Sequence, residues 1–379
     1  MDVGRNYWKV GFAGEPEPRH LIPTSMAMRW LSDCPGATEE EWMEVLPQFV
    51  ADAYFRFLIC RPKERRVVIA EPLAGSSAFR EALGTVLFRQ MQVKGVVMIP
   101  GPWPALLCTG LRSGLVIEIG ARETHVLPVF AGYPLQNAYQ VTPLGVGALC
   151  SKIRNDLEGG LELQEKDVQN ILAQACFVRC KKSSLEDVSP VEFPLSSGGN
   201  HVTIPPKVRV QTADILFEGT DTHDSIISIM FNSLKRCSAE IRKGLLSNIV
   251  VAGGGAMIPG ICGRLSEEIR SVLDDDSVLS EYERKQLSCM RPALSSTCIS
   301  SVFLPRNLLV WCGTSILARL EELVEASLLP QGYTDAGERM PDWLSISSSD
   351  WLFHSPNKAK NAIMKSAVIQ LQSDPLESS

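Results

Sequence analysis

Residues 248–269, NIVVAGGGAMIPGICGRLSEEI, run an apolar stretch, three consecutive glycines and an amphipathic repeat into one another, and no other stretch constrains the fold as tightly. Ile249, Val250 and Val251 form an unbroken apolar run, which suits a strand covered on both faces. Gly253, Gly254 and Gly255 then remove every Cβ at the carboxyl end of that strand, the edge at which open α/β sheets bind ligands. Ile261, Leu265 and Ile269 follow on one helical stripe. The segment predicts a strand, a turn that lets a ligand touch backbone, and a helix. A glycine turn that merely closes a strand–helix unit has the same pattern.

With 379 residues the chain exceeds what one hydrophobic core normally supports, so two cores are expected. Its 37 basic and 43 acidic residues leave a net charge of −6, which removes any general electrostatic case for nucleic acid or an anionic membrane. Proteins are the expected partners. The N-terminal stretch with Asp2, Arg5 and Lys9 has no apolar core of signal-peptide length, and no run reaches about eighteen apolar residues, so neither export nor membrane insertion is expected. Eleven cysteines include no CxxC pair, and the closest two, Cys176 and Cys180, are spaced as one helical turn. They read as reduced core thiols of a cytoplasmic protein, without a metal site.

Two glycine-turn hairpins repeat one idea, DVGRNYWKVGFAG at residues 2–14 and EIGARETHVLPVFAG at 118–132, which predicts two related half-domains facing a cleft. Apolar strands at 65–72, 94–101 and 114–120 alternate with helical stretches such as 78–91, an α/β layout with a mixed sheet in each half. From Thr38 the pattern is helical: Thr38 is a suitable N-cap, Glu39, Glu40 and Glu41 suit the first turn, and Trp42, Val45, Leu46, Phe49, Val50 and Ala53 form a stripe. A loop is expected at 196–200. The tail opens with serines from Ser345 and continues as NKAKNAIMKSAVIQLQ, either a loose terminus or a helix that docks on a partner.

Residues 230–260, MFNSLKRCSAEIRKGLLSNIVVAGGGAMIPG, resemble the actin superfamily almost residue by residue, and KVGFAGEPEPR at 9–19, residues 65–93 and VWCGTSILA at 310–318 resemble it too. The resemblance covers about residues 2–343. It implies an α/β, actin-like two-lobed fold, in which duplicated ribonuclease-H-like domains flank a cleft and the first small subdomain is much reduced. The implied first lobe is 1–108 with 309–343, including 24–61 as a mostly helical small subdomain. The second is 109–308, with 145–221 as its small subdomain, and 344–379 is a tail. For a nucleotide the resemblance singles out Asp2, Gly4, Lys9, Gly120, Gly253, Gly254, Gly255 and Met257, with Thr124 and His125 also matching.

Several positions depart from the family. Arg5 and Asn6 replace a serine and a glycine, Glu118 an aspartate, and Ala121 and Arg122 an acidic residue and a glycine. Residues 98–107, MIPGPWPALL, lack the family's water-positioning glutamine, and Ile258, Leu172, Ala173 and Asn307 replace an aromatic, a lysine, a glutamate and a lysine. The expectation is therefore no hydrolysis, no metal, and a static ATP or ADP or none. Arg5 and Arg122 either take over phosphate-holding roles or pair with Asp2 and Glu118.

Residues 24–61 are too short for the small sheet and polymer-contacting loop of actin, so a subunit of this kind joins a filament end and accepts nothing beyond it. Within the superfamily, the pointed-end actin-related group of dynactin is similar in VGFAGE (10–15), RRVVIAE (65–71), FRE (79–81) and RMPDW (339–343). That resemblance implies a filament cap in the cytoplasm and cytoskeleton. Its partners would be dynactin's actin-related filament subunit and pointed-end subunits, and indirectly dynein. A nuclear subunit of a chromatin remodeller and an actin-fold ATPase stay open as alternatives. The apolar strand that the family places before Asp2 is not in this sequence, so a central sheet is expected to be one strand short.

Overall fold

The computed structural model describes residues 1–73, 75–157, 163–180, 188–196, 201–274, 299 and 302–341. Residues 197–200 of the expected loop, Asp342, Trp343 and the tail 344–379 lie outside them. The chain divides into two compact units, one of Met1–Arg112, Gly132–Pro134 and Leu308–Ser379, the other of Ser113–Ala131 and Leu135–Asn307.

The first unit is built on a mixed sheet in the order β3-β2-β1-β4-β5, formed by β1 (Asp2–Val3), β2 (Tyr7–Val10), β3 (His20–Pro23), β4 (Arg66–Glu71) and β5 (Gly95–Pro100). β1 runs antiparallel to β2 and parallel to β4. The sheet is not left a strand short: β1, though two residues long, holds the place between β2 and β4, and Met1 extends it by donating to the Val68 carbonyl at 2.7 Å and accepting from Ala70 N at 2.8 Å. The helices of this unit include α1 (Met26–Asp33), α2 (Glu39–Asp52) and α3 (Ser77–Thr85). α2 starts where the sequence places it. Thr38 Oγ1 accepts from Glu41 N, and the Glu41 carboxylate accepts from Thr38 N in return, so two donors left over at the helix start are satisfied together. Trp42, Leu46 and Val50 are buried, and Trp42 meets Phe79 of α3 edge to face with ring centres 4.9 Å apart. The helix expected at 78–91 is α3 followed by a π-helical turn, Val86–Gln90, and a similar turn, Ala53–Phe57, closes α2.

In the second unit β6 (Gly114–Ile119) pairs antiparallel with β7 (Thr124–Phe130), and β8 (Gln140–Thr142) pairs antiparallel with β7. A separate hairpin joins β9 (Val191–Pro194) to β10 (His201–Ile204). β11 (Ile249–Ala252) lies parallel to β6 and is buried at all four positions, as its unbroken apolar run requires. Around these strands lie α4 (Val146–Leu157), α5 (Glu165–Ala175), α6 (Pro206–Gln211), α7 (Asp214–Glu218), α8 (Ile226–Arg236), α9 (Ala239–Ser247) and α10 (Ile261–Asp274). Ile261, Leu265 and Ile269 of α10 enter the same core as Ile249 and Val251. Cys176 and Cys180 do not share a helix: they follow the end of α5 in irregular backbone, the first buried and the second exposed.

Candidate functional site

In the first unit the antiparallel register sets Asp2 opposite Lys9, and Lys9 Nζ lies 2.5 Å from Asp2 Oδ2. Both side chains are largely covered, so each charge depends on the other. Between them the chain turns at Gly4, where a Cβ would stand 2.7 Å from the Tyr7 carbonyl oxygen. Arg5 next to it reaches to Asp33. Its guanidinium bonds both carboxylate oxygens of Asp33 at the end of α1, and donates to Asn6 Oδ1 at 3.0 Å. Thr24 fastens the turn from the other side, its Oγ1 donating to the Arg5 carbonyl at 2.6 Å and its N to the Asn6 carbonyl at 2.9 Å.

The second unit repeats this geometry with different chemistry. Glu118 stands opposite His125, again an acid two residues before the turn glycine and a base five after it. A Cβ on Gly120 would lie 2.9 Å from the carbonyl oxygen of Glu123, three residues on, as at Gly4. The turn is gripped by the approach to α4: Val146 N donates to the Gly120 carbonyl at 3.0 Å and Gly147 N to that of Ala121 at 2.7 Å. Gly145 has no room for a Cβ, which would fall 2.7 Å from Arg122 C and Glu123 N. His125 is buried, with Nδ1 2.5 Å from Tyr139 Oη and Nε2 3.4 Å from the Glu123 carboxylate. Burial outweighs that carboxylate and pushes the imidazole pKa down to about 4, and burial also pushes the Tyr139 phenol up. His125 is therefore neutral at physiological pH.

β11 delivers the three glycines to the same edge. Ala252 pairs with Glu118, so Gly253 arrives beside Ile119 with φ +92°, and a Cβ there would be 2.4 Å from the Ile119 carbonyl oxygen. A Cβ on Gly255 would be 2.2 Å from Ile119 Cγ2, whereas one on Gly254 would meet nothing within 4 Å. Two of the three glycines are thus demanded by packing against β6, and only Gly254 keeps open space for a ligand. Met257 closes the turn half exposed, and Ile258 is buried. Asn307 Oδ1, in the same unit, is buried with no hydrogen-bond partner among the described residues.

The sequence-derived residues therefore gather as two sets: Asp2, Gly4 and Lys9 in the first unit, and Gly120, Gly253, Gly254, Gly255 and Met257 in the second. Asp33, Tyr139 and Gly145 escape the sequence reading. The Gly-Val-Gly step at 145–147, across the start of α4, is a local signal for the last. The stretch 98–107 carries no carboxamide, carboxylate or hydroxyl side chain, and its one polar side-chain group is the Trp103 indole N–H: it is the end of β5 and a 3₁₀ turn, Trp103–Thr109, with Met98 to Leu106 buried. Among the described residues no group of three His, Cys, Asp or Glu side chains is placed to hold a metal, and no helix is long and apolar enough to cross a membrane.

A mixed sheet carrying an acid–glycine–base hairpin, built twice in one chain, defines a duplicated α/β protein with an actin-like fold. A sequence model described as Actin matches residues 36–189 and 168–342, and the chain belongs to the actin family. It is 22% identical to Actin-related protein 10 of Dictyostelium discoideum over 92% of this chain and 89% of that one. It is 23% identical to Actin-related protein 3 of Acanthamoeba castellanii, over 89% and 94%, and 23% identical to Actin-like protein 7A of Rattus norvegicus, over 85% and 77%.

Proposed function

We propose that this chain is a non-polymerising structural subunit that ends the short actin-like filament of dynactin at its pointed end and joins it to the other pointed-end subunits. The observation that carries this reading is the fold of residues 24–61. Where polymer-forming relatives need a projecting loop, this chain has α1, a five-residue link 34–38 with Ala37 buried, and α2 packed down on α3. A neighbour arriving on that side finds closed helices. Similarity to an Actin-related protein 10 supports the assignment to dynactin over a remodeller subunit.

The hairpins support a binding role without turnover. Lys9 is committed to Asp2, Arg5 to Asp33, His125 is neutral and buried, and residues 98–107 carry no carboxamide, carboxylate or hydroxyl side chain to orient an attacking water. A nucleotide, if held, would meet the open backbone at Gly254 and the Met257 side chain and would supply a rigid filling rather than chemistry. Affinity purification of the full chain tests the reading. Recovery of dynactin's actin-related filament subunit and its pointed-end subunits is the expected result, together with a block of pointed-end elongation on short filaments. Recovery of remodeller subunits, or steady ATP turnover by the purified chain, would sink it.

A further inference from the structure

One surface of the first unit contrasts with the acidic chain around it. After the π-helical turn Ala53–Phe57, Ile59 has φ +49°, a left-handed state that β-branched residues avoid, and its side chain is 81% exposed. Phe55, four residues earlier, is 60% exposed. Beside them Arg56, Arg61, Lys63, Arg65 and Arg66 are all exposed, although the whole chain carries a net charge of −6. Of these five, only Arg61 has a carboxylate partner among the described residues, Glu64 at 3.5 Å. Strain, exposed apolar surface and unneutralised charge coincide within a dozen residues.

A cavity of about 130 Å³ adjoins this surface, lined by Phe12, Tyr54, Leu58, Cys60, Arg65 and Trp311 among others. Arg65 is exposed and stands over the Phe12 ring, 5.2 Å from its centre, so it marks the mouth. Tyr54 is 2% exposed, and its hydroxyl has no hydrogen-bond partner among the described residues. A buried hydroxyl left unpaired costs stability unless a guest bonds it.

We propose that this surface docks an acidic segment of a partner protein that carries a bulky apolar side chain. The apolar side chain enters the cavity beside Tyr54, the carboxylates meet Arg56, Lys63, Arg65 and Arg66, and Phe55 and Ile59 pack against the flanks. Guanidinium forks suit carboxylates, and the acidic balance of the whole chain opposes adsorption to an anionic bilayer. The proposal goes beyond the filament-end reading and does not depend on it.

Fluorescence anisotropy on the full chain tests it, with a labelled peptide of glutamates around a central leucine and a control with lysines for the glutamates. The acidic peptide binds, the basic one does not, and affinity falls about tenfold as salt rises from ~0.05 to ~0.3 M. Arg65→Glu with Arg66→Glu abolishes binding. Ile59→Gly separates docking from folding: glycine accepts the left-handed backbone, so Tm does not fall while peptide affinity drops several-fold. Equal binding of both peptides, affinity indifferent to salt, an Ile59→Gly chain that binds like its parent, or binding of phosphatidylserine vesicles without binding of the acidic peptide would each overturn the proposal.

Discussion

The two hairpins hold their acid–base pairs in different charge states, and that difference has a measurable pH signature. Asp2 and Lys9 form an ion pair, while His125 is held neutral with its pKa lowered from 6.5 to about 4. Below pH 6.5 the unfolded chain gains a proton at this histidine and the folded chain does not, so stability is full above that value and drains as pH falls toward 4. The loss contributed by this one group approaches about 3 kcal/mol. Urea melts between neutral and mildly acidic pH are expected to show it, and His125→Gln is expected to flatten that limb; an unchanged acid limb would remove His125 as its source. The glycine turn gives a second expectation. Gly253→Ala places a Cβ 2.4 Å from the Ile119 oxygen at a positive φ and destabilises by several kcal/mol, while Gly254→Ala changes stability by less than about 1 kcal/mol. If a nucleotide is retained, Gly254→Ala weakens it, as isothermal titration would register. Glycine identity here is legible in sequence, but its cause is not: the constraint comes from Ile119, brought alongside only when β11 pairs with β6. Likewise nothing local links Arg5 to Asp33, 28 residues away.

At the scale of elements, α2 is the part of residues 24–61 that sequence reveals best. Its cap, its acidic first turn and its apolar stripe agree with one another, which is why they are readable without tertiary information. Thr38→Ala is expected to cost about 1 kcal/mol by removing the capping pair, and Trp42→Ala about 3–5 kcal/mol by opening a cavity against Phe79. Chemical denaturation of the two variants checks both. A Trp42→Ala cost no larger than the Thr38→Ala cost would mean that α2 is not anchored on α3. α1 lies in the stretch 24–61 expected to be mostly helical, but its bounds are not marked in the sequence: it has eight residues, and only Met28 and Leu31 are buried, too few to mark a period. The π-helical turns that close α2 and follow α3 also escape pattern reading, because they are set by how the helix end meets its neighbours.

At the scale of the molecule, each unit has its own hydrophobic core, and thiols shielded within each unit report on its opening. Burial pushes Cys108 up to about 12 and Cys312 up to about 11 in the first unit, and Cys150 and Cys176 up to about 11 in the second. All four are therefore slow to alkylate at mildly alkaline pH until their unit opens, because the thiolate is the reactive form. Pulse alkylation along a urea gradient, read by mass spectrometry, is expected to release the two pairs at different concentrations, with exposed Cys180 labelled throughout. Simultaneous release would mean that the cores unfold as one. Sequence by itself determined the family, the α/β class, the buried strand with its glycine turn, and the helix α2, because capping, turn chemistry and apolar period are local properties of the chain. Tertiary structure alone decided what each polar group is committed to: Arg5 to Asp33, Lys9 to Asp2, His125 to Tyr139 in a buried pocket, and Gly253 to Ile119. Those assignments depend on distance and dielectric between residues far apart in the chain, and both come into being only when the strands pair and the cores close.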